Sequence, residues 1–419
     1  MDSTDRILDA AVARFAAGGL RAVSIREVAR IAGVDPSAIQ YRFGSKAALW
    51  SAALDRAITL DTARLAALGE MVAALAGAGT LAADEYIALI RLYIDETLAA
   101  HREHAIVWHV GLINGLRQEA PSPEMTQWRD RRIEAWKAIA DRMRLTAAHA
   151  GEALLAITST VEIFMLGMAP GIERALYGEA LLRLTCARLF ETAAAPETGG
   201  WFAAWCAART DARFEPSKPD TDPSGQSFEL SEAVARLLLA AGAEGVTHRA
   251  IAAEAGLSLA ATTRHFATLQ DLLRAGYDRI GVNMLRNVQG PDEARNFTDA
   301  SAMAEAVATV WLSDNAMHGR ALAGLLDVHI AAARDPALAP TASAIIAKLS
   351  LLAMQYFAGE NALGIRTRFE AHAHYALSQT LILLSAVGAA DAPTVLERST
   401  AKIAAISALL FPAAAGRQG

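Results

Sequence analysis

A short stretch near the start of the chain concentrates positive charge. From residue 21 to residue 46 the net charge is +3, in a chain whose formal net charge is −6. Lysine and arginine side chains neutralise the phosphates of nucleic acids, so phosphate binding is the chemistry that this segment favours. The overall negative charge excludes a uniform polycation. The cations are Arg21, Arg26, Arg30, Arg42 and Lys46, and the carboxylates are Glu27 and Asp35.

Local sequence signals predict the helices that position these side chains. Apolar residues at helical spacing predict a first helix over residues 4–17, and Gly18-Gly19 is expected to end it. Ser24 is predicted to cap a second helix, with Glu27 completing a capping box three residues later. Gly33 is expected to end that helix, because glycine adopts the left-handed conformation without strain.

A third, short helix is predicted over Pro36 to Arg42, since proline fits the first turn of a helix. Ser45 is expected to cap a fourth helix. Two helices joined by a tight glycine turn, the second of them short, form a helix-turn-helix, whose second helix enters the major groove of DNA. The alternative is a plain three-helix corner with a solvated basic face.

The chain repeats this segment once. Residues 24–34 align with residues 247–257 at an offset of 223, and the alignment continues without a gap to Leu49 and Leu272. The glycine, the small residues and an aromatic residue all keep their frame, so the repeat is real. Residues 211–227 lie between the copies, hold three prolines and few apolar residues, and are interpreted as an exposed linker between two halves.

Two sets of residues carry a resemblance to a known family. In the first copy they are Ile7-Leu8-Asp9-Ala10-Ala11, Phe15, Ser24-Ile25-Arg26-Glu27-Val28-Ala29, Ala32-Gly33-Val34, Tyr41-Arg42-Phe43 and Ser45-Lys46. In the second copy they are Thr247-His248-Arg249-Ala250-Ile251-Ala252, Glu254-Ala255-Gly256 and Arg264-His265-Phe266. With these residues, both copies resemble the DNA-binding head of the TetR family of bacterial transcriptional regulators. The resemblance covers only the beginning of each half.

The resemblance implies which side chains contact DNA. In the first copy they are Ser24, Arg26, Ser37, Gln40, Tyr41, Arg42 and Lys46. In the second copy they are Thr247, Arg249, Thr263, Arg264 and His265. Gln40 is suited to a bidentate pair with an adenine edge, whereas Tyr41 and Lys46 are expected to position the protein. Because Leu269 replaces Lys46 in the second copy, we expect the first head to bind tightly and the second weakly.

The domain organisation follows from the repeat and from helical periodicity throughout the chain. We expect an all-α protein of two TetR-like units, each with a helix-turn-helix head and a helical ligand-binding and dimerisation domain. The predicted boundaries are 1–50 for the first head, 51–210 for the first helical domain, 211–227 for the linker, 228–275 for the second head and 276–419 for the second helical domain.

TetR-family subunits pair through their last two helices, which pack as a four-helix bundle. The corresponding helices are predicted over 154–168 and 176–191, and over 372–387 and 394–410. The resemblance implies that these helices pack within one polypeptide as an intramolecular pseudo-dimer. A true dimer of this chain, with four heads, stays open as the alternative.

In this family the helices between head and bundle enclose an apolar pocket for a small effector. The candidate lining residues are Met71, Tyr93, Trp108, Asn114 and Trp136 in the first half, and Met303, Trp311, His318, His329 and Tyr356 in the second. We expect a small apolar or aromatic effector, in one or both halves. The alternative for such residues is plain core.

Composition and motifs argue against other classes. Hydrophobic residues make up 53% of the chain, which excludes global disorder. Cys186 and Cys206 are too few for a disulfide scaffold, and neither a signal peptide nor an apolar span of about 20 residues is expected. His101, His104 and His109 are expected on an exposed surface rather than at a metal. No nucleophile elbow, His-Glu-x-x-His motif or phosphate loop occurs in the sequence, so we expect no enzyme, metal or cofactor.

The sequence therefore predicts a cytoplasmic, ligand-responsive transcriptional regulator that binds a double-stranded DNA operator. A repressor is the expected form, because members of the family mostly repress. The alternative is a ligand-binding or protein-interaction module in which one or both heads do not bind DNA.

Overall fold

The computed structural model describes residues 2–79, 81–117, 122–190, 199–210, 225–288, 299–312, 318–357 and 363–412. Within these ranges every regular element is helical, which confirms the all-α prediction. Most of the predicted linker lies outside the described residues. Its last two residues, Gln226 and Ser227, are helical instead, so the linker ends earlier than predicted.

Four helices open the chain: α1 (Ser3–Ala22), α2 (Ile25–Ala32), α3 (Pro36–Phe43) and α4 (Lys46–Ala78). In α1 the backbone leaves helical geometry at Gly18 and Gly19, where Gly19 has a φ of 72°. The prediction that the glycine pair ends the regular helix is therefore confirmed. α4 is 33 residues long and connects the first head with the helices that follow it.

The rest of the first half consists of α5 (Ala83–Ala100), α6 (Arg102–Gly115), α7 (Pro123–Arg142), α8 (Ala150–Gly167), α9 (Ile172–Leu189) and α10 (Gly199–Thr210). α7 packs against both α4 and α8, while α6 packs against α1. The long fourth helix and α6 thus link the first head to the core.

The second half begins with α11 (Gln226–Ala241), a 3-10 turn (Ala243–Gly245), α12 (His248–Ala255), α13 (Leu259–His265) and α14 (Leu269–Val288). It continues with α15 (Ala300–Leu312), α16 (His318–Arg334), a second 3-10 turn (Pro336–Leu338), α17 (Ala339–Tyr356), α18 (Arg368–Ala386) and α19 (Ala392–Leu410). α11 packs against α12, α14 and α16, and α16 packs in turn against α6 and α8 of the first half.

Helices of the two halves share one core. α8 packs against α16 and α18, and α9 packs against α18 and α19. Thr160 of α8 donates a hydrogen bond to Thr380 of α18, with 2.8 Å between their hydroxyl oxygens. α8, α9, α18 and α19 occupy the four predicted bundle segments but begin two to four residues earlier than predicted. Apolar periodicity misses these first turns because their residues are mostly small or polar.

Two helical segments are long and apolar enough to cross a membrane, contrary to the expectation that none would be. They are Ala150–Gly167 and Pro336–Met354, and 94% and 67% of their residues are buried inside the protein. Such burial is typical of core helices in a soluble protein, so these segments are weak evidence for membrane insertion.

Three histidines lie in this shared core. His329, His372 and His374 are each at most 2% exposed, and burial lowers the pKa of each to about 3. The His372 ring bonds the Tyr177 hydroxyl with 2.7 Å between Nε2 and the oxygen, and His374 bonds Ser407 in the same way at 2.8 Å. All three imidazoles are therefore neutral at pH 7.

These histidines predict a loss of stability in acid. A lowered pKa means that the unfolded chain binds protons the folded chain does not, so the contribution is complete above the unfolded pKa of about 6.5 and is lost as the pH falls towards 3. His374→Gln should keep a hydrogen bond to Ser407 while removing one titrating group. We expect the slope of unfolding free energy against pH to fall near pH 5 by about 1 kcal/mol per pH unit. Urea unfolding at pH 5, 6 and 7 measures it; an unchanged slope would contradict the assignment.

Candidate nucleic-acid interface

Local signals set the angle between α2 and α3. Ser24 Oγ accepts a hydrogen bond from the Glu27 amide at 3.2 Å, which caps α2. Gly33 ends the helix in the left-handed conformation, with φ 65° and ψ 42°. The Asp35 carboxylate then caps α3 by accepting from the Ser37 amide at 2.8 Å. The predicted cap, turn and short helix are all present.

The predicted capping box is only half formed. Glu27 does not return a bond to the Ser24 amide in the described structure. Its carboxylate lies 3.3 Å from Arg14 Nη2 on α1 and 3.9 Å from Arg30 Nη2 on the next turn of α2. An ion pair between helices replaces the box, because α1 brings a guanidinium within reach.

The outer face of α3 is polar and exposed. Ile39 is 1% exposed and anchors the helix to the core, whereas Ser37, Gln40 and Arg42 are exposed. Tyr41 is 95% exposed. A tyrosine at such exposure contributes almost nothing to packing, so its ring and hydroxyl are available to a partner.

Gln40 and Arg42 bond to residues outside α3. Gln40 Nε2 donates to the Gly44 carbonyl, which closes the turn between α3 and α4. Arg42 donates to the Thr4 hydroxyl on α1. The bond to Gly44 uses one N–H of the Gln40 amide, and the bond from Arg42 holds α3 against α1.

The remaining predicted contacts of the first head lie around the same surface. Ser24 and Arg26 are exposed at the start of α2, and Lys46 is half-buried in the first turn of α4. Ser45 caps α4 by accepting from the Ala48 amide at 3.1 Å. Lys46 therefore stands where the helix dipole also favours an anion.

The second head has the same local construction. Thr247 caps α12 by accepting from the Ala250 amide at 3.1 Å, and Gly256 ends that helix with a φ of 66°. Thr247, Arg249, Thr263 and Arg264 are exposed, while His265 is half-buried. The side chains predicted to contact DNA thus lie on the α12–α13 segment, as their counterparts lie on α2 and α3.

Contacts within each head repeat at the same offset of 223. Arg56 of α4 binds Asp9 of α1 at 2.5 Å and Asp5 at 2.8 Å. Arg279 of α14 lies 3.4 Å from Glu232 of α11. The aligned segments, 24–49 and 247–272, contain neither the acids nor the arginines, so the repeat as aligned does not predict these ion pairs. The signal was present: both arginines and both acids stand at matching positions.

The contact between α3 and α1 in the first head also has a counterpart between α13 and α11 in the second. His265 occupies the position of Arg42, and Gln226 occupies that of Ser3. The His265 ring lies 3.1 Å from Gln226 Oε1, and Arg264 Nη2 lies 3.4 Å from the same oxygen. A different pair of side chains thus ties α13 to α11.

Two arginines each donate hydrogen bonds to the first helix of the head in the opposite half. Arg334, at the end of α16, donates to the carbonyls of Ala16 at 2.7 Å and Phe15 at 3.3 Å in α1. Arg117, just after α6, donates to the Leu238 carbonyl of α11 at 3.2 Å. Leu238 is the counterpart of Phe15 at the offset of 223. We call Arg117 and Arg334 the crossed arginines.

The predicted effector residues do not form one site. Tyr93, Trp108 and Trp136 are buried within the first half, with Tyr93 edge-on to Trp136 at 5.7 Å. Met71 is 51% exposed on α4, so it does not belong to this buried group, and its place in an effector site stays a prediction. Asn114 lines a different cavity, of about 280 Å³, that none of those three aromatic residues lines.

In the second half, the predicted lining residues belong to the core or cannot be described. Trp311 is buried, and its ring lies 5.4 Å from that of Tyr375. Met303 and His329 are buried as well. The side chains of His318 and Tyr356 lie outside the described residues. Trp311, Met303 and His329 therefore lie in the interior, and their place in an effector site stays a prediction.

A buried charged cluster surrounds the aromatic residues of the first half. Arg132 binds Asp61 at 2.7 Å and lies over the Trp108 ring at 4.4 Å. Burial raises the pKa of Asp61, but the charge and hydrogen bonds of Arg132 outweigh burial and hold it below its usual value. His109, predicted on the surface, is instead 1% exposed and 3.3 Å from Glu162. Burial lowers the pKa of His109 although Glu162 opposes this.

A family model matches the first head. Residues 7–53 match the family model described as bacterial regulatory proteins, tetR family. No curated protein matches the chain. The matched residues include α2, α3 and their caps, and the match supports a DNA-binding transcriptional regulator of that family.

Arg56 and Arg279 occupy matching positions in the two heads, and each is expected to stabilise its own head only. Arg56→Met removes bonds to two carboxylates, so we expect a loss of about 1–2 kcal/mol and faster amide exchange in α1 but not in α11. Arg279→Met is the matched variant and should reverse the pattern. Hydrogen exchange resolved by peptide measures both; equal acceleration in both heads from either variant would contradict the prediction.

Proposed function

We propose that this protein is a sequence-specific, cytoplasmic transcriptional repressor with two unlike DNA-binding heads on one chain, released from its operator by a small ligand. The observation that carries the proposal is the exposed surface of α2 and α3, held in helix-turn-helix geometry within the matched residues 7–53. Tyr41, Arg26 and Lys46 place an aromatic ring and two cations on that surface. This chemistry suits phosphate and groove contact.

The second head is part of the proposal because its turn repeats that of the first. Gly242 and Gly19 share nearly the same conformation, with φ of 66° and 72° and ψ of −176° and −175°. Gly256 and Gly33 likewise agree, with φ of 66° and 65°. L side chains rarely adopt these values, so a matching backbone at two pairs of positions favours a matching fold and role.

We further propose that the two halves form a pseudo-dimer within one polypeptide. Supporting contacts are those of α8 and α9 with α18 and α19, and the bond between Thr160 and Thr380. In a two-fold interface each residue meets its own counterpart near the axis, and two threonines at similar positions on α8 and α18 fit this rule. The crossed arginines support the same arrangement, since each half holds the other half's head.

The two heads should read unlike half-sites. The exposed positions of α3 hold Gln40 and Tyr41, whereas the corresponding positions of α13 hold Thr263 and Arg264. Lys46 is replaced by Leu269, which removes one phosphate contact from the second head. Fusion of the halves frees the operator from being palindromic, because each head can change independently.

Selection of bound fragments from a random duplex library, with the mass of the complex measured in solution, tests this function. Two unlike half-sites about one helical turn (~34 Å) apart, bound by one chain, are expected. A palindrome bound by two chains would replace the pseudo-dimer with a dimer that uses one head per chain. No enrichment at low salt would overturn the regulator and favour a ligand-binding or protein-interaction module.

Phosphate contacts predict the salt dependence. Lys46→Ala and Arg264→Ala should each weaken binding to the selected site and lower the slope of log affinity against log salt by about one unit, because each contact releases about one counterion. Arg320→Ala, which removes an exposed cation from α16, is the matched control and should leave the slope unchanged. Fluorescence anisotropy between 50 and 200 mM salt measures the slopes, and unchanged slopes in both head variants would refute the assignment.

Gln40 predicts sequence specificity. Gln40→Ala should cost about 1–3 kcal/mol on the preferred site and should relax preference at one base pair, because the amide reads a base edge. Lys46→Ala should instead weaken all sites alike. Binding to a panel of single-base variants of the selected site measures this difference. Equal losses across the panel for Gln40→Ala would make Gln40 a turn residue only.

A further inference from the structure

A cavity of about 280 Å³ lies where the two heads approach each other. Its wall includes Phe15 and Trp50 of the first head, Asn114 of α6, and Gly242 of the second head. The loop between α18 and α19 completes it. The cavity therefore lies between the halves, outside the buried aromatic cluster of the first half.

One side of the cavity is apolar. The rings of Phe15 and Trp50 stack with centroids 4.0 Å apart. Val107, Val110 and Met125 line the same cavity from α6 and α7. An aromatic or branched aliphatic body would bury its surface against these side chains.

The crossed arginines supply the polar side. Arg117 lines the cavity with a side chain 8% exposed, and its Nε is buried without a hydrogen-bond partner. Its Nη2 donates to the Leu238 carbonyl, and the Asp327 carboxylate is 3.8 Å away, too far for a hydrogen bond. A buried guanidinium with an unpaired donor is costly, and a carboxylate is the group that matches its fork geometry.

Asp327, which is the ion-pair partner of Arg117, and Glu244 both have other contacts. Asp327 Oδ2 accepts from the Tyr277 hydroxyl at 3.0 Å and from the Ala243 amide at 3.2 Å. Glu244 packs against Gly19, where its carboxylate fills the space that a side chain would take. Asp327 therefore keeps two partners when Arg117 turns towards a ligand.

We propose that this cavity binds a small carboxylate with an aromatic or branched apolar body, with the carboxylate on Arg117 and the body against Phe15 and Trp50. A cavity of about 150 Å³ holds benzene, so 280 Å³ suits a ligand of roughly 12 non-hydrogen atoms. The site deepens the proposed function, on which its effect on DNA binding rests.

Binding at this place acts on the heads through the crossed arginines. Arg334 also lines the cavity, and it holds α1 through the carbonyls just before the Gly18-Gly19 break. A carboxylate competes with the helix carbonyls for both guanidinium groups. Loss of those bonds frees α1 and α11 from the opposite half, which changes the spacing of the heads and weakens DNA binding.

Calorimetry on the full chain tests the site without DNA. The probes are 3-phenylpropionate and its neutral amide, 3-phenylpropionamide. We expect the carboxylate to bind at least tenfold more tightly than the amide. Equal affinities, or no heat from either probe, would overturn the proposal.

Variants locate the site. Arg117→Gln should abolish the preference for the carboxylate, and Arg320→Gln, at an exposed arginine on α16, should retain it. Asn114→Phe, which fills the cavity without removing a charge, should abolish binding of both probes. Circular dichroism and urea unfolding check that each variant is folded. Unchanged binding in folded Asn114→Phe would place the ligand elsewhere and refute this site.

DNA binding distinguishes a failure of the ligand site from a failure of the proposed function. With the selected operator, 3-phenylpropionate should weaken binding by at least tenfold in the wild type and not in Asn114→Phe. Failure of the ligand-free protein to bind any DNA would overturn the proposed function, while the calorimetric result would still decide the site. Binding of the probe with unchanged operator affinity would overturn the coupling through the crossed arginines.

Discussion

The burial of α8 is the constraint on which the described structure depends. Every residue from Ala150 to Gly167 except Glu152 is buried, so this helix needs neighbours on all sides. α5, α6, α7 and α9 cover part of it, and α16, α17 and α18 of the second half cover the rest. Helices of the first half alone would leave part of the apolar surface of α8 exposed to water. The hydrophobic effect therefore joins the two halves into one core, and the places of both heads follow from that union.

Each head packs against helices of its own half and gains hydrogen bonds from the opposite half. Each has its own local caps and glycine turns, and each is tied to the opposite half by one crossed arginine, Arg117 or Arg334. A joint of few hydrogen bonds at a cavity can be changed by modest free energies, whereas a packed interface such as that of α8 cannot. Packing thus holds the shared helices together, and hydrogen bonds from the crossed arginines join each head to the opposite half.

The two halves have diverged in their interiors. The first half encloses a charged cluster in which Arg132 joins Asp61, with Glu162 and His109 nearby. Such pairs are neutral to stability on balance but costly to break, so they favour one arrangement of the surrounding helices. In the second half, Trp311 packs against Tyr375 instead. The sequence repeat therefore does not by itself imply two equivalent effector pockets.

The sequence by itself determined the helical class, the caps and turns of both heads, and their repetition. Ser24 and Gly33 act on neighbours a few residues away, so local chemistry suffices to predict their roles. Only the tertiary structure decided that Met71 is exposed, that His109 lies beside Glu162, and that Arg117 reaches α11. Such contacts depend on which helix faces meet, and apolar periodicity describes a face without naming its partner.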